Sequence, residues 1–106
     1  MQIDEHVGNA TTKTAGISVA HVRTSGPSDE APQTPAFDEY VLVLKGTMVV
    51  NVGVGAEMST VQARAGQTLW LPKGFRYDYH FPDEGGAEYV PICLPGFAPE
   101  IAGRED

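Results

Sequence analysis

The chain has 106 residues, room for one domain with a real core but not two. Its 42% hydrophobic content excludes a wholly disordered chain. Fourteen acidic against seven basic residues give a net charge of −7, and the few Lys and Arg are scattered singly, which argues against nucleic-acid binding. No apolar run approaches the ~20 residues of a membrane span. Met1 to Gly16 is polar, without the basic start and apolar block of a secretory signal. Cys93 is the single cysteine, so no intrachain disulfide or cysteine-cluster metal site can form. A cytoplasmic protein with no membrane partner is expected.

In chain order, residues 1–14 are polar and expected to be peripheral, and Ala15 to Thr24 alternates as a strand does. Ser25 to Pro35 is rich in Pro, Ser, Asp and Gln and predicts a loop or poorly paired edge. Glu39 to Leu44 is a continuous apolar run of strand length broken at Lys45-Gly46, and Thr47 to Val52 is expected to return as its hairpin partner. Turns then separate strands at Met58 to Arg64, Thr68 to Leu71, Phe75 to Phe81 and Ala87 to Leu94. The tail 95–106, with Pro, Gly and charge, is expected to lie over a barrel end or to fray. Short strands at this spacing without a helical crossover predict an all-β, single-domain antiparallel sandwich or barrel.

Two segments are more specific. Glu39-Tyr40-Val41-Leu42-Val43-Leu44-Lys45-Gly46 sets a carboxylate seven residues before a glycine. Gly66-Gln67-Thr68-Leu69-Trp70-Leu71-Pro72-Lys73-Gly74 frames a short strand between two tight turns. Together and in this order they resemble the two motifs of the cupin superfamily. The match covers about Phe37 to Leu94. With Cys93-Leu94-Pro95-Gly96-Phe97 it also looks like small single-domain bacterial cupins called ethanolamine-utilisation-like. The resemblance implies a conical antiparallel β-barrel of jelly-roll type, an internal small-molecule pocket, frequent homodimers and often a divalent metal. It places the metal-binding histidines at Pro32 to Pro35 and at Tyr77, where this chain has none. Glu39, Gln33 and Tyr77 form a poor ligand set, because phenol ionises only near pH ~10. The expectation is no metal and no cofactor, with room only for a weak or rearranged divalent site.

Strand side chains alternate between faces. The resemblance aims Glu39 inward, so Val41 and Val43 share the interior with it, while Tyr40, Leu42 and Leu44 form an outer apolar row suited to a homodimer. Phe75, Tyr77, Tyr79 and Phe81 share one face, expected inside, with His80 outside. His6 is expected to be exposed. His21, with Val19 and Arg23, is expected to border the pocket or lie on a solvated face. Glu39 is either a proton-transfer group with a raised pKa or a structural carboxylate.

The expected catalytic residues are Glu39, Tyr77 and His21, with Arg23, Gln33, Trp70, Tyr79 and Phe81 as substrate contacts. Trp70 reads as core or pocket wall, and Cys93 as a small buried hydrophobe. Two function classes stand. One is an isomerase, cyclase, dehydratase or lyase acting by proton transfer on a carbonyl- or carboxylate-bearing metabolite. The other is a non-catalytic metabolite-binding or regulatory domain.

Overall fold

In the computed structural model, which describes residues 1–105, nine strands form two antiparallel sheets. They are β1 (Gln2–Val7), β2 (Ser18–Arg23), β3 (Ser28–Asp29), β4 (Asp38–Lys45), β5 (Thr47–Val52), β6 (Ser59–Arg64), β7 (Thr68–Leu71), β8 (Tyr77–Phe81) and β9 (Glu88–Leu94). A five-stranded sheet runs β1-β2-β9-β4-β7 and a four-stranded sheet runs β3-β8-β5-β6. The barrel expected from the sequence is realised as a jelly roll of two facing sheets. A 3-10 turn at Gly55–Glu57 and one helical turn, α1 (Pro99–Ala102), complete the described elements. No helix among the described residues is long and apolar enough to cross a membrane.

The predicted hairpin between β4 and β5 is corrected. β4 pairs with β7 and β9, whereas β5 pairs with β6 and β8 in the opposite sheet. The chain changes sheet at Gly46, whose φ is +77° and whose missing Cβ would stand 2.5 Å from the Gly86 carbonyl. Only glycine permits both that backbone angle and that approach. The corner sends the continuous apolar run of β4 into one sheet and the Met48/Val50 row into the other.

The two inner faces meet in a core of Val41, Val43, Met48, Val50, Leu71, Tyr77 and Phe81, each at most 2% exposed. The alternation of β4 and β8 is as predicted: Glu39, Val41 and Val43, like Tyr77, Tyr79 and Phe81, are buried, and their neighbours are not. Phe75 precedes β8 and is exposed. β9 sits between β2 and β4, and its ladder to β2 lapses opposite Ala20 and His21. Pro91 and Val90 face that gap, and a proline has no N–H to donate.

Both ends of the chain join the fold. β1 is an edge strand on β2. At the other end, Ala36 N–H donates to the Ile101 carbonyl (2.8 Å), Thr34 N–H to Gly103 (3.0 Å) and Glu105 N–H to Pro32 (2.8 Å). Gly103 makes this docking possible, with φ +65° and a Cβ position only 2.2 Å from the Thr34 carbonyl. Ala102 is buried beside Phe37 and Cys93.

Candidate functional site

Glu39 is set by β4 on the inner face of the five-stranded sheet. Cys93 of β9 is its cross-strand neighbour, and Ser18 of β2 lies beyond Cys93. The Glu39 side chain is 5% exposed. Tyr79, from the opposite sheet, donates its hydroxyl to Glu39 Oε1 at 3.2 Å, and Gln33 Nε2 donates to the Tyr79 hydroxyl at 3.0 Å. Gln33 is itself fixed by two backbone hydrogen bonds with Tyr77, both 2.8 Å. The relay leaves Glu39 Oε2 without a hydrogen bond. Among the described residues only Ser28 Oγ is both sealed from access and unpartnered, so Oε2 opens into the neighbouring cavity.

That cavity has a volume of about 410 Å3, within the usual range for small-molecule sites. Ile3 of β1, Ala20 and Val22 of β2, Pro91 of β9, and Phe37 and Phe97 form its apolar wall. Phe37 and Phe97 meet edge to face at 6.1 Å. Glu5, Glu30 and Glu39 are its acidic groups and Arg104 its basic one. Arg104 Nη2 lies 3.7 Å from Glu30 Oε2. Glu5 Oε2 is engaged by the Ala10 and Thr11 amides and the Thr11 hydroxyl.

Burial governs the ionisation of the site. Desolvation raises the Glu39 carboxyl to about 7, although the Tyr79 hydrogen bond pulls it down. Tyr79 is pushed well above the ordinary phenol value, first by burial and then by the Glu39 charge. Cys93 is pushed up to about 12, by burial first, then by Glu39, against a hydrogen bond with Ser18. Around neutral pH Glu39 can therefore give or take a proton, while its phenol and thiol neighbours keep theirs.

Of the expected site residues, Glu39, Tyr79 and Gln33 come together on the cavity. Tyr77 points inward but turns away from the cavity, donating its hydroxyl to the Pro72 carbonyl at 2.5 Å. His21 and Arg23 lie on the other face of β2, because Ser18, Ala20 and Val22 take the cavity side. There His21 Nε2 is 3.2 Å from Glu88, and Arg23 reaches Asp4 at 3.3 Å. Trp70 is 62% exposed, opposite Tyr40 on the outer face, and so is neither core nor pocket wall. Phe81 is fully buried behind the cavity, stacked on Tyr89 at 5.2 Å. His80 faces outward and pairs with Asp29.

The sequence reading missed Met1, Ile3, Glu5, Phe97 and Arg104, which all line the cavity although they lie in the two segments taken as peripheral. A signal existed for β1, where Ile3, Glu5 and Val7 alternate with Gln2, Asp4 and His6. None existed for Arg104, whose place depends on pairing with Gln33, 71 positions away.

No family model matches the chain. The structure superposes on oxalate decarboxylase of Bacillus subtilis at pH 4.6 with a TM-score of 0.82 and 14% identity, covering 96% of this chain and 27% of that one. It superposes on a putative ethanolamine utilization protein EutQ from Salmonella typhimurium LT2 with a TM-score of 0.68 and 20% identity, covering 88% and 68%. The fold is that of the cupins. By sequence, the chain is 36% identical over 104 residues to Endoribonuclease YbeY of Myxococcus xanthus, a match covering 98% of this chain. It spans about a third (34%) of that relative's length.

Another structure of the decarboxylase concerns its Mn(II) centres. The donor set of the present cupin fold does not suit such an ion. Tyr79 is held neutral well above the ordinary phenol value and gives its hydrogen to Glu39, whose own carboxyl holds its proton to about pH 7, and Gln33 offers only a neutral amide oxygen. Among the described residues no three His, Cys, Asp or Glu side chains converge. A divalent ion needs several deprotonated donors in one shell, and Glu39 would bring one.

Proposed function

We propose that the cavity takes up a small metabolite and that Glu39 transfers a proton on it, in a reaction of the isomerase, cyclase, dehydratase or lyase type at a carbonyl-bearing substrate. The observation that carries this reading is the division of labour within one carboxyl group. Oε1 is held by Tyr79, which itself is held by Gln33, while Oε2 is free toward the cavity. A fixed carboxyl with one free oxygen and a pKa near operating pH suits a general acid or base. Arg23, expected among the substrate contacts, lies on the other face of β2 and takes no part in this reading. The test is a metabolite-wide thermal-shift screen, followed by turnover of any hit by the wild type and by Glu39→Gln. Turnover lost in the variant supports proton transfer, and undiminished turnover removes it.

A second reading, a metabolite-binding domain without catalysis, draws on the absence of Tyr77 and His21 from the cavity lining. It predicts hits that bind and are returned unchanged. The name of the longer Myxococcus relative suggests ribonuclease activity, a property stated for that protein as a whole. The net charge of −7 and the small apolar cavity speak against an RNA strand as substrate here. Incubation with structured RNA is expected to leave it intact, and cleavage by this chain alone would reverse the assignment.

A further inference from the structure

The charge of the cavity says what its ligand carries. Three carboxyl side chains line it against the Arg104 guanidinium, which stands beside Glu30, and against Met1 with its α-amino group. Glu39 is buried with one oxygen unengaged; its polar neighbours Tyr79, Gln33, Ser18 and Cys93 carry no charge, and Ile3, Ala20, Val22 and Phe37 supply the apolar wall. A substrate carboxylate would meet an ionised Glu39 with no cation beside it, whereas an ammonium would pair with a carboxylate already removed from water. We propose that the ligand of this cavity is an organic amine, a protonated nitrogen on an apolar body, with the nitrogen donating to Glu39 Oε2 and the body lying against Ile3, Ala20, Val22, Phe37 and Phe97. The inference rests on the reading of the Glu39 cavity as the ligand site and narrows its substrate class.

Such binding has a signature. The groups facing Glu39 are Tyr79 and Tyr77 from β8 and Tyr89 and Cys93 from β9. Glu5 faces the cavity from β1, Glu30 and Arg104 from its mouth, and Asp38 adjoins Glu39 on β4. The phenols and the thiol are all pushed upward and stay neutral across the working range. Glu5 is tied into the 8–12 turn, and Glu30 stands against Arg104. Glu39 is therefore the carboxyl that an incoming cation would ionise. Its proton would go to solvent, leaving a carboxylate paired with the ammonium. Affinity then rises by up to about tenfold per pH unit below pH 7 and levels off above it. The apolar wall adds about fourfold per methylene of the ligand until it is filled.

Isothermal titration of the wild-type chain with n-alkylammonium chlorides from butyl to octyl, beside alkanoates and alkanols of matched length, tests this. The expected result is ammonium binding that tightens about 100-fold between pH 5 and pH 8, with close to one proton released per ligand at pH 5 in two buffers of different ionisation enthalpy. Alkanoates should not bind. Glu39→Gln, checked for folding by circular dichroism, should lose both the proton release and the pH dependence. Should that variant fail to fold, the wild-type proton count and ligand series still decide. Alkanoates or alkanols binding in preference to the amines would overturn the amine assignment while leaving proton transfer at Glu39 standing. Ammonium binding without pH dependence would overturn it as well. If no series binds, the amine assignment falls, and the metabolite screen then judges the broader reading independently.

Discussion

The two faces of the five-stranded sheet are built from the same strands and do opposite things. Along β4, Glu39, Val41 and Val43 point inward and are at most 5% exposed, whereas Tyr40 and Leu44 point outward at 38% and 45%. The outer row continues onto Trp70 of β7 and Ile92 of β9, both register partners of Tyr40. One face thus hides a carboxyl group and the other displays aromatic rings, the reverse of what hydrophobicity alone would order. A polar residue inside an apolar wall, with its hydrogen bonds supplied on one side only, is the feature on which the proposed site rests. We propose that two copies pair across this exposed outer row.

Introducing a charge on either face should give the largest contrast. Val43→Asp places an uncompensated carboxylate in the core and should cost about 3–5 kcal/mol. Leu44→Asp, one residue on, should change urea stability by no more than about 0.5 kcal/mol when the chain is dilute enough to be unpaired.

The next contrast is in pH. The folded state holds the proton of Glu39 more tightly than the unfolded chain, which releases it near 4.5. The stability that comes from this difference is present below about pH 4.5 and is lost as pH rises through about 7, in all about 3 kcal/mol. Subtracting the stability profile of Glu39→Gln from that of the wild type should isolate this slope, and parallel profiles would contradict the raised value.

Smaller effects separate the two tyrosines. Tyr79→Phe removes the donor to Glu39 and strands Gln33, so it should cost about 1–3 kcal/mol. It should also move the Glu39 titration, followed by carbon NMR of its carboxyl, above its wild-type midpoint. Tyr77→Phe loses the bond to Pro72, costs about 1 kcal/mol, and should leave that titration where it was.

The smallest change in fold stability comes from the outer face. Trp70→Thr should shift it by about 0.5 kcal/mol or less, yet sedimentation should show the proposed pair dissociating. An unchanged sedimentation coefficient, or a wild type that is monomeric at tens of micromolar, would count against pairing.

The inner face was legible because β-strand parity is strict. Once Glu39 is inside, Val41 and Val43 follow, and the aromatic row of β8 follows in the same way. Parity gives a face, not a depth. Tyr77, Tyr79 and Phe81 share a side, but residues two apart stand about 7 Å from one another, so Tyr79 meets Glu39 while Tyr77 meets Pro72 and Phe81 backs Tyr89. For β2 the sequence offered no anchor like Glu39, and the choice fell on His21 and Arg23 when the cavity took Ser18, Ala20 and Val22. In sequence Trp70 reads as core or pocket wall, whereas β7 is an edge strand with its outer side uncovered. Phe97, Arg104 and the cavity residues of β1 were hidden for another reason. Their positions depend on contacts with distant parts of the chain, which local pattern does not carry.

The docking of both chain ends has a practical consequence for whoever handles this protein. Met1 and Arg104 are exposed and both line the cavity. Any peptide joined to either end, such as an affinity tag, a fluorescent fusion or a linker to a neighbouring domain, therefore starts within two residues of the cavity lining and is expected to compete with whatever enters. A polyhistidine tag is a particular hazard, because it would set imidazoles beside Glu30 and Glu5 and could assemble a metal site foreign to the chain. Ligand affinity and metal content measured before and after tag removal would show how far the doorway had been obstructed.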